Sequence, residues 1–129
     1  MPRAKQLTLT VPDRPGMLGE VASALGAKKV NIEGICAATT GGGGMIWLVV
    51  DKNAAAKKVL AQNGWKASED EVLAVDLSNT PGSLGRFSTK LGKAGVNITF
   101  VYVGSAGSAR KVTAYFGVSD LKAALKVRP

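Results

Sequence analysis

Leu7, Leu9 and Val11 alternate with Thr8 and Thr10, and that period of two predicts a β-strand with one buried face. Pro15-Gly16 interrupts the alternation. Leu18, Val21, Ala22 and Leu25 then recur at i, i+3, i+4 and i+7, the stripe of an amphipathic helix. Gly26 marks its expected end. A strand is predicted over about 30–38, a glycine-rich turn at 41–44 and a returning strand over 45–50, which together read as a hairpin. A second helix is expected over about 53–63, and a fourth strand around 66–70.

The pattern then starts again. Leu73, Val75 and Leu77 alternate with Ala74 and Asp76, Pro81-Gly82 breaks the run, and Leu84, Phe87, Ser88 and Leu91 restore the helical stripe. Gly95 marks the second stop. Strands are predicted over 96–103 and 112–118, joined by the glycine- and serine-rich stretch 104–108, and a helix over 120–127. Val11-Pro-Asp-Arg-Pro-Gly-Met-Leu-Gly19 thus returns as Leu77-Ser-Asn-Thr-Pro-Gly-Ser-Leu-Gly85, and Val30-Asn-Ile32 as Val96-Asn-Ile98. Pro15 to Pro81 and Asn31 to Asn97 are both 66 apart, while Val50 to Val118 are 68 apart, so the second hairpin is about two residues longer. A period this long means two copies of one small fold.

Each copy reads β-α-β-β-α-β, an α+β, ferredoxin-like unit with strand order 4-1-3-2 and both helices on one face. The expected domains are 1–70 and 71–129, packed side by side with a site between related surfaces. Pro129 corresponds to Ala61, so the second copy is expected to lack its fourth strand.

Composition narrows the class. At 129 residues and 46% hydrophobic the chain is an ordinary globular protein, and two copies sharing an interface relieve the marginal stability of a domain of about 65 residues. The sequence has no apolar run of about 20 residues and no apolar leader after Met1, and a single cysteine, Cys36, suits a reducing, cytoplasmic setting. The net charge of +8 invites nucleic-acid binding, but the lysines are scattered over predicted helix faces in both copies, and the second hairpin strand lacks an RNP1 pattern. RNA binding is the third choice.

The chain has no histidine, which removes the common zinc constellations and the base that a nucleophilic Cys36 would want. No metal, no cofactor and no catalytic set are expected. Cys36 reads as a small strand residue, and 41–44 as a hairpin turn without the Lys-Ser/Thr of a P-loop.

Strand, Asp/Asn-x-Pro-Gly-x-Leu, helix and Val-Asn-Ile, found twice in register, resemble the ACT domain over nearly the whole chain. The resemblance implies a regulatory module that binds an amino acid or similar small molecule at domain interfaces and controls a partner enzyme. It implies ligand contacts from the loop before Pro-Gly, Asp13 and Asn79 here, and from the strand asparagines Asn31 and Asn97. A histidine two residues before that loop position in serine-responsive members is replaced by Val11 and Leu77.

The residues support such a site on their own terms. Unpaired amides of Gly16, Met17 and Leu18, and of Gly82, Ser83 and Leu84, lie at helix starts, where the dipole favours a carboxylate. Asp13 can accept from an ammonium group, and the asparagines can donate and accept. Each also has a local role available, as a helix cap or turn brace. Side-by-side repeats would set Asp13 against Asn97 and Asn79 against Asn31, giving two unequal sites. The alternative is an assembly module without a ligand. In the 4-1-3-2 order a missing fourth strand leaves the strand at 72–77 with an open edge, which predicts a homodimer, with the connector at 66–70 folding back over the edge as the competing internal solution.

Overall fold

The protein is described by a computed structural model covering residues 2–129; the expected start of the first repeat at residue 1 lies outside the described residues. Its elements are β1 (Arg3–Val11), α1 (Met17–Ala27), β2 (Ile32–Thr40), β3 (Gly43–Val50), α2 (Asn53–Gln62), β4 (Ala67–Ser78), α3 (Ser83–Lys93), β5 (Ile98–Ser105), β6 (Lys111–Val118) and α4 (Leu121–Ala124). They form two units. One is Lys5–Asp70; the other joins Glu71–Pro129 to the N-terminal residues up to Ala4.

In the first unit the strands follow the order β2-β3-β1, with the opening residues of β4 next to β1, which is the ferredoxin-like 4-1-3-2 order read backwards. Leu7, Leu9 and Val11 of β1 and Ile46, Leu48 and Val50 of β3 point to one face, and there they meet Met17, Val21 and Leu25 of α1 and Ala56, Val59 and Leu60 of α2. Both helices therefore cover the same side. Period two on the strands and period 3.6 on the helices aim at one core, which is why the element types were legible.

The second unit repeats the scheme with β4-β6-β5. Leu73, Val75, Leu77, Ala114 and Phe116 share a core with Phe87 and Leu91 of α3 and Ala124 of α4. Its last helix is shorter than the predicted 120–127. Asp120 caps it by accepting from the Ala123 amide at 3.0 Å. The amides of Lys126 and Val127 then bond three residues back, to Ala123 and Ala124, which tightens the chain out of the helix.

The expected fourth strand at 66–70 and the expected next strand at 72–77 are one element, β4. Ser-Glu-Asp-Glu at 68–71 looks like a connector by polarity, yet it contains no glycine or proline to end the strand. Glu69 is held by Asn53 and by Lys57 at 3.3 Å, and its carboxyl sits below the usual range, first because of the Asn53 amide hydrogen bond. In the second unit no strand follows α4 among the described residues. The Pro2 carbonyl instead accepts from the Ala74 amide at 3.0 Å, and Arg3 pairs with Glu71 at 3.4 Å. The β4 edge expected to be open is thus covered at Ala74 by the N-terminal residues.

Both Pro-Gly steps are tight turns. Gly16 and Gly82 have φ of 85° and 86°, and the Met17 amide donates to the Arg14 carbonyl, as Ser83 does to Thr80, at 3.2 and 3.3 Å. These values match a type II turn, with proline second and glycine third.

Candidate functional site

β1 ends at Val11 because Pro12 cannot donate to the ladder. The chain turns over Asp13-Arg14-Pro15-Gly16 into α1. β2 runs parallel to β1 after the return through α1, so the β2–β3 hairpin end comes to the same end of the sheet as this turn. Between them lies a cleft of about 250 Å³ whose lining includes Val11, Asp13, Met17, Leu18, Ala37 and Thr39.

Its polar groups gather at the rim. The Thr39 hydroxyl donates to the Asp13 carboxylate at 3.3 Å. Arg14 also lines the cleft and pairs with Glu20 at 2.6 Å; the hydrogen bond from Arg14 holds the Glu20 carboxyl below the usual carboxylate range. No side chain caps the start of α1. Of the amides expected to be unpaired, that of Met17 is taken by the Arg14 carbonyl, as that of Ser83 is by Thr80, because each closes the Pro-Gly turn; the Leu18 amide remains available to an anion. The apolar side is deeper: Val11 and Met17 are each 5% exposed and Ile46 3%, whereas Leu18 at the mouth is 45% exposed.

The structure therefore brings Asp13, Met17 and Leu18 together, with Gly16 forming the turn beside them. Asn31 is not in this lining. Its amide donates to Asp51 Oδ1 at 2.9 Å, and Asn97 makes the same contact with Ser119 Oγ at 2.9 Å, so both backbones are tied to the residue just after the returning strand of the hairpin. In the second unit the longer hairpin reaches the loop: the Asn79 amide donates to the Arg110 carbonyl at 2.8 Å, and Asn79 Nδ2 to the Ala109 carbonyl at 3.4 Å. Ser83 lines a different groove with Asp76, Arg86 and Lys90, Gly82 faces the Arg86 guanidinium, and Leu84 is 42% exposed.

Residues 5–62 match the family model of the ACT domain. This stretch is an ACT domain. No curated protein matches the chain. Among solved structures it is similar to a protein from Bacteroides thetaiotaomicron, at 24% identity and a TM-score of 0.88, over 98% of this chain and 86% of that one. It is also similar to the ligand-free regulatory subunit of aspartate kinase from Thermus thermophilus, at 17% identity and a TM-score of 0.68, over 97% and 89%. The corresponding subunit from Thermus flavus gives 20% and 0.64, over 98% and 90%. At these identities the likeness establishes the fold.

Within the ACT domain, sequence reasoning found the turn and missed the opposite wall. Arg14, Ala37, Thr39 and Gly44 were not singled out. The signal was available in the topology, since a strand–helix–strand unit returns the end of β2 to the end of β1. Among the described residues no helix is long and apolar enough to cross a membrane.

Proposed function

We propose that the protein is a non-catalytic, cytoplasmic regulator that binds a free amino acid in the Asp13 cleft and passes the bound state to a partner enzyme. The observation that carries this reading is the meeting of an acceptor pair, Asp13 with Thr39, and an uncapped helix start at one small cleft. An α-ammonium needs acceptors and an α-carboxylate needs donors; the rim supplies both. The cleft lies just below the usual range for drug-sized ligands, which suits an amino acid better than a nucleotide. Similarity to aspartate kinase regulatory subunits supports a regulatory role.

A thermal-shift screen against the twenty amino acids tests the reading. A ligand at 100 times its Kd should add about 2.7 kcal/mol of apparent stability. Asp13→Ala should remove most of that shift, because hydrogen bonds to charged groups contribute about 1.5–3 kcal/mol. Flat melting curves at millimolar ligand would leave the assembly-module reading in its place. That second reading has its own support in the exposed apolar residues Leu18, Ile35, Leu84, Val101 and Val103, and these also support a homodimer.

A further inference from the structure

Resting on the reading just given, we infer that the Asp13 cleft selects amino acids with uncharged aliphatic or thioether side chains, of about leucine or methionine size. The two units differ at the positions that open the cleft. Ala37 pairs with Ile46 in the first hairpin, and Thr39 with Gly44. The corresponding pairs of the second hairpin are Val103 with Ala114 and Ser105 with Val112. Valine therefore stands in the second unit at both places where the first has alanine and glycine. Ile46 is matched in turn by the smaller Ala114, so the small residues at the hairpin side of the first unit's cleft are Ala37 and Gly44.

Strand alternation fixes what faces it. Ala37 and Thr39 share a face with Ile46 and Val11, the face that α1 covers, so the methyl of Ala37 and the hydroxyl of Thr39 both point to the cleft side. Gly44 lies opposite both Val11 and Thr39, and a Cβ there would come within 3.3 Å of Val11 Cγ2. The glycine keeps this wall low.

Charge and polarity are confined to the rim. Asp13, Thr39 and the Leu18 amide in the uncapped first turn of α1 serve the ammonium and carboxylate that all amino acids share. Beside them the wall is Val11, Met17, Leu18, Ala37 and Ile46, and these side chains offer no charge, no donor and no acceptor stronger than the Met17 thioether. Among the described residues no buried side-chain nitrogen or oxygen lacks a partner that a ligand could satisfy. A lysine, aspartate or serine side chain entering the slot would give up water for nothing in return, whereas an aliphatic one loses only its apolar exposure. The volume of about 250 Å³ equals roughly eight waters at about 30 Å³ each, room for one amino acid of medium size. Met17 adds an unbranched, adaptable wall.

The test is calorimetric titration of the whole chain with leucine, methionine, isoleucine and valine against serine, aspartate and lysine, repeated on Ala37→Val. Valine suits a strand, and this substitution copies the second unit. Circular dichroism and a melting curve establish that the variant folds. The expected result is at least about 10-fold tighter binding of the aliphatic set than of the polar set, and a loss of at least about 10-fold for leucine and methionine in Ala37→Val. Lysine, aspartate or serine binding as tightly as leucine, with the loss in Ala37→Val retained, would overturn the selectivity while leaving the site in place. Aliphatic binding that Ala37→Val leaves unchanged would overturn the location. No binding of any amino acid to the natural chain would overturn the proposed function itself, and this inference with it.

Discussion

At the scale of single residues the two units solve one problem in two ways. Both first helices end in the same hydrogen-bond pattern. Lys29 donates to the Gly26 carbonyl and Val30 to Leu25, at 2.9 and 3.0 Å, and Gly95 donates to Gly92 and Val96 to Leu91, at 3.0 and 2.9 Å. This is the Schellman arrangement, and it requires a left-handed residue after the cap. The second unit uses Gly95 with φ of 76°, but the first uses Lys29 with φ of 60°. A side chain in that region costs about 1–2 kcal/mol, partly offset by the backbone entropy that glycine loses on folding. Lys29→Gly is expected to raise stability by up to about 1 kcal/mol, and Gly95→Ala to lower it by a similar amount. Thermal melts of the two variants check this, and a lower melting temperature for Lys29→Gly would contradict it. The hydrogen bond from the Lys52 ammonium to the Lys29 carbonyl survives the change, because on the Lys29 side it uses only the main chain.

At the scale of elements, each edge strand carries a bulge at the same place, between Ile32 and Gly34 in β2 and between Ile98 and Phe100 in β5. The pair beyond it is inverted: Gly34 faces Val49, while Phe100 faces Gly117. The Phe100 ring lies over Gly117 so closely that a Cβ there would sit 2.1 Å from it, and it stacks towards Tyr102, with ring centroids 6.2 Å apart. Gly117→Val should therefore cost about 1–3 kcal/mol by overpacking. Adding Phe100→Gly recreates the small–large pair of the first unit and should recover part of the loss. A urea-denaturation double-mutant cycle should give a coupling of at least about 0.5 kcal/mol; additive effects would show that the ring and the glycine are independent. Patterns of this kind were legible in part. Alternation at Leu7–Leu9–Val11 and at Leu73–Val75–Leu77 fixes faces, and Pro-Gly fixes turns, because each is a local requirement. The continuity of β4 through Ser68-Glu-Asp-Glu71 was not legible, since those polar residues are placed by tertiary partners such as Asn53 and Arg3. The Asp13 side of the cleft was legible from its turn motif. Ala37 and Gly44 were not, because a cleft made by missing volume has no motif.

At the scale of the whole molecule, the question is what meets the apolar surface that each unit leaves in solvent. The sequence pointed to the edge at 72–77, but Pro2 and Arg3 already occupy part of it. The exposed large apolar side chains lie elsewhere, and they repeat: Leu18 and Ile35 in the first unit correspond to Leu84 and Val101 in the second, where Val103 joins them. β2 and β5 are terminal strands in the order of their own units, so apolar residues on them lie beside unpaired strand edges, the combination most prone to pair with another chain. A second copy is the simplest occupant, because closed two-fold pairing buries the same surface on both partners. Light scattering at micromolar concentration is expected to give about twice the 13.3 kDa chain mass. Val101→Lys with Val103→Lys places two charges on an edge strand at residues that are 41% and 48% exposed, where the fold tolerates them. That variant should remain folded and fall to the single-chain mass. A natural chain that is monomeric under the same conditions would refute the dimer, and a variant that stays dimeric would move the interface away from β5.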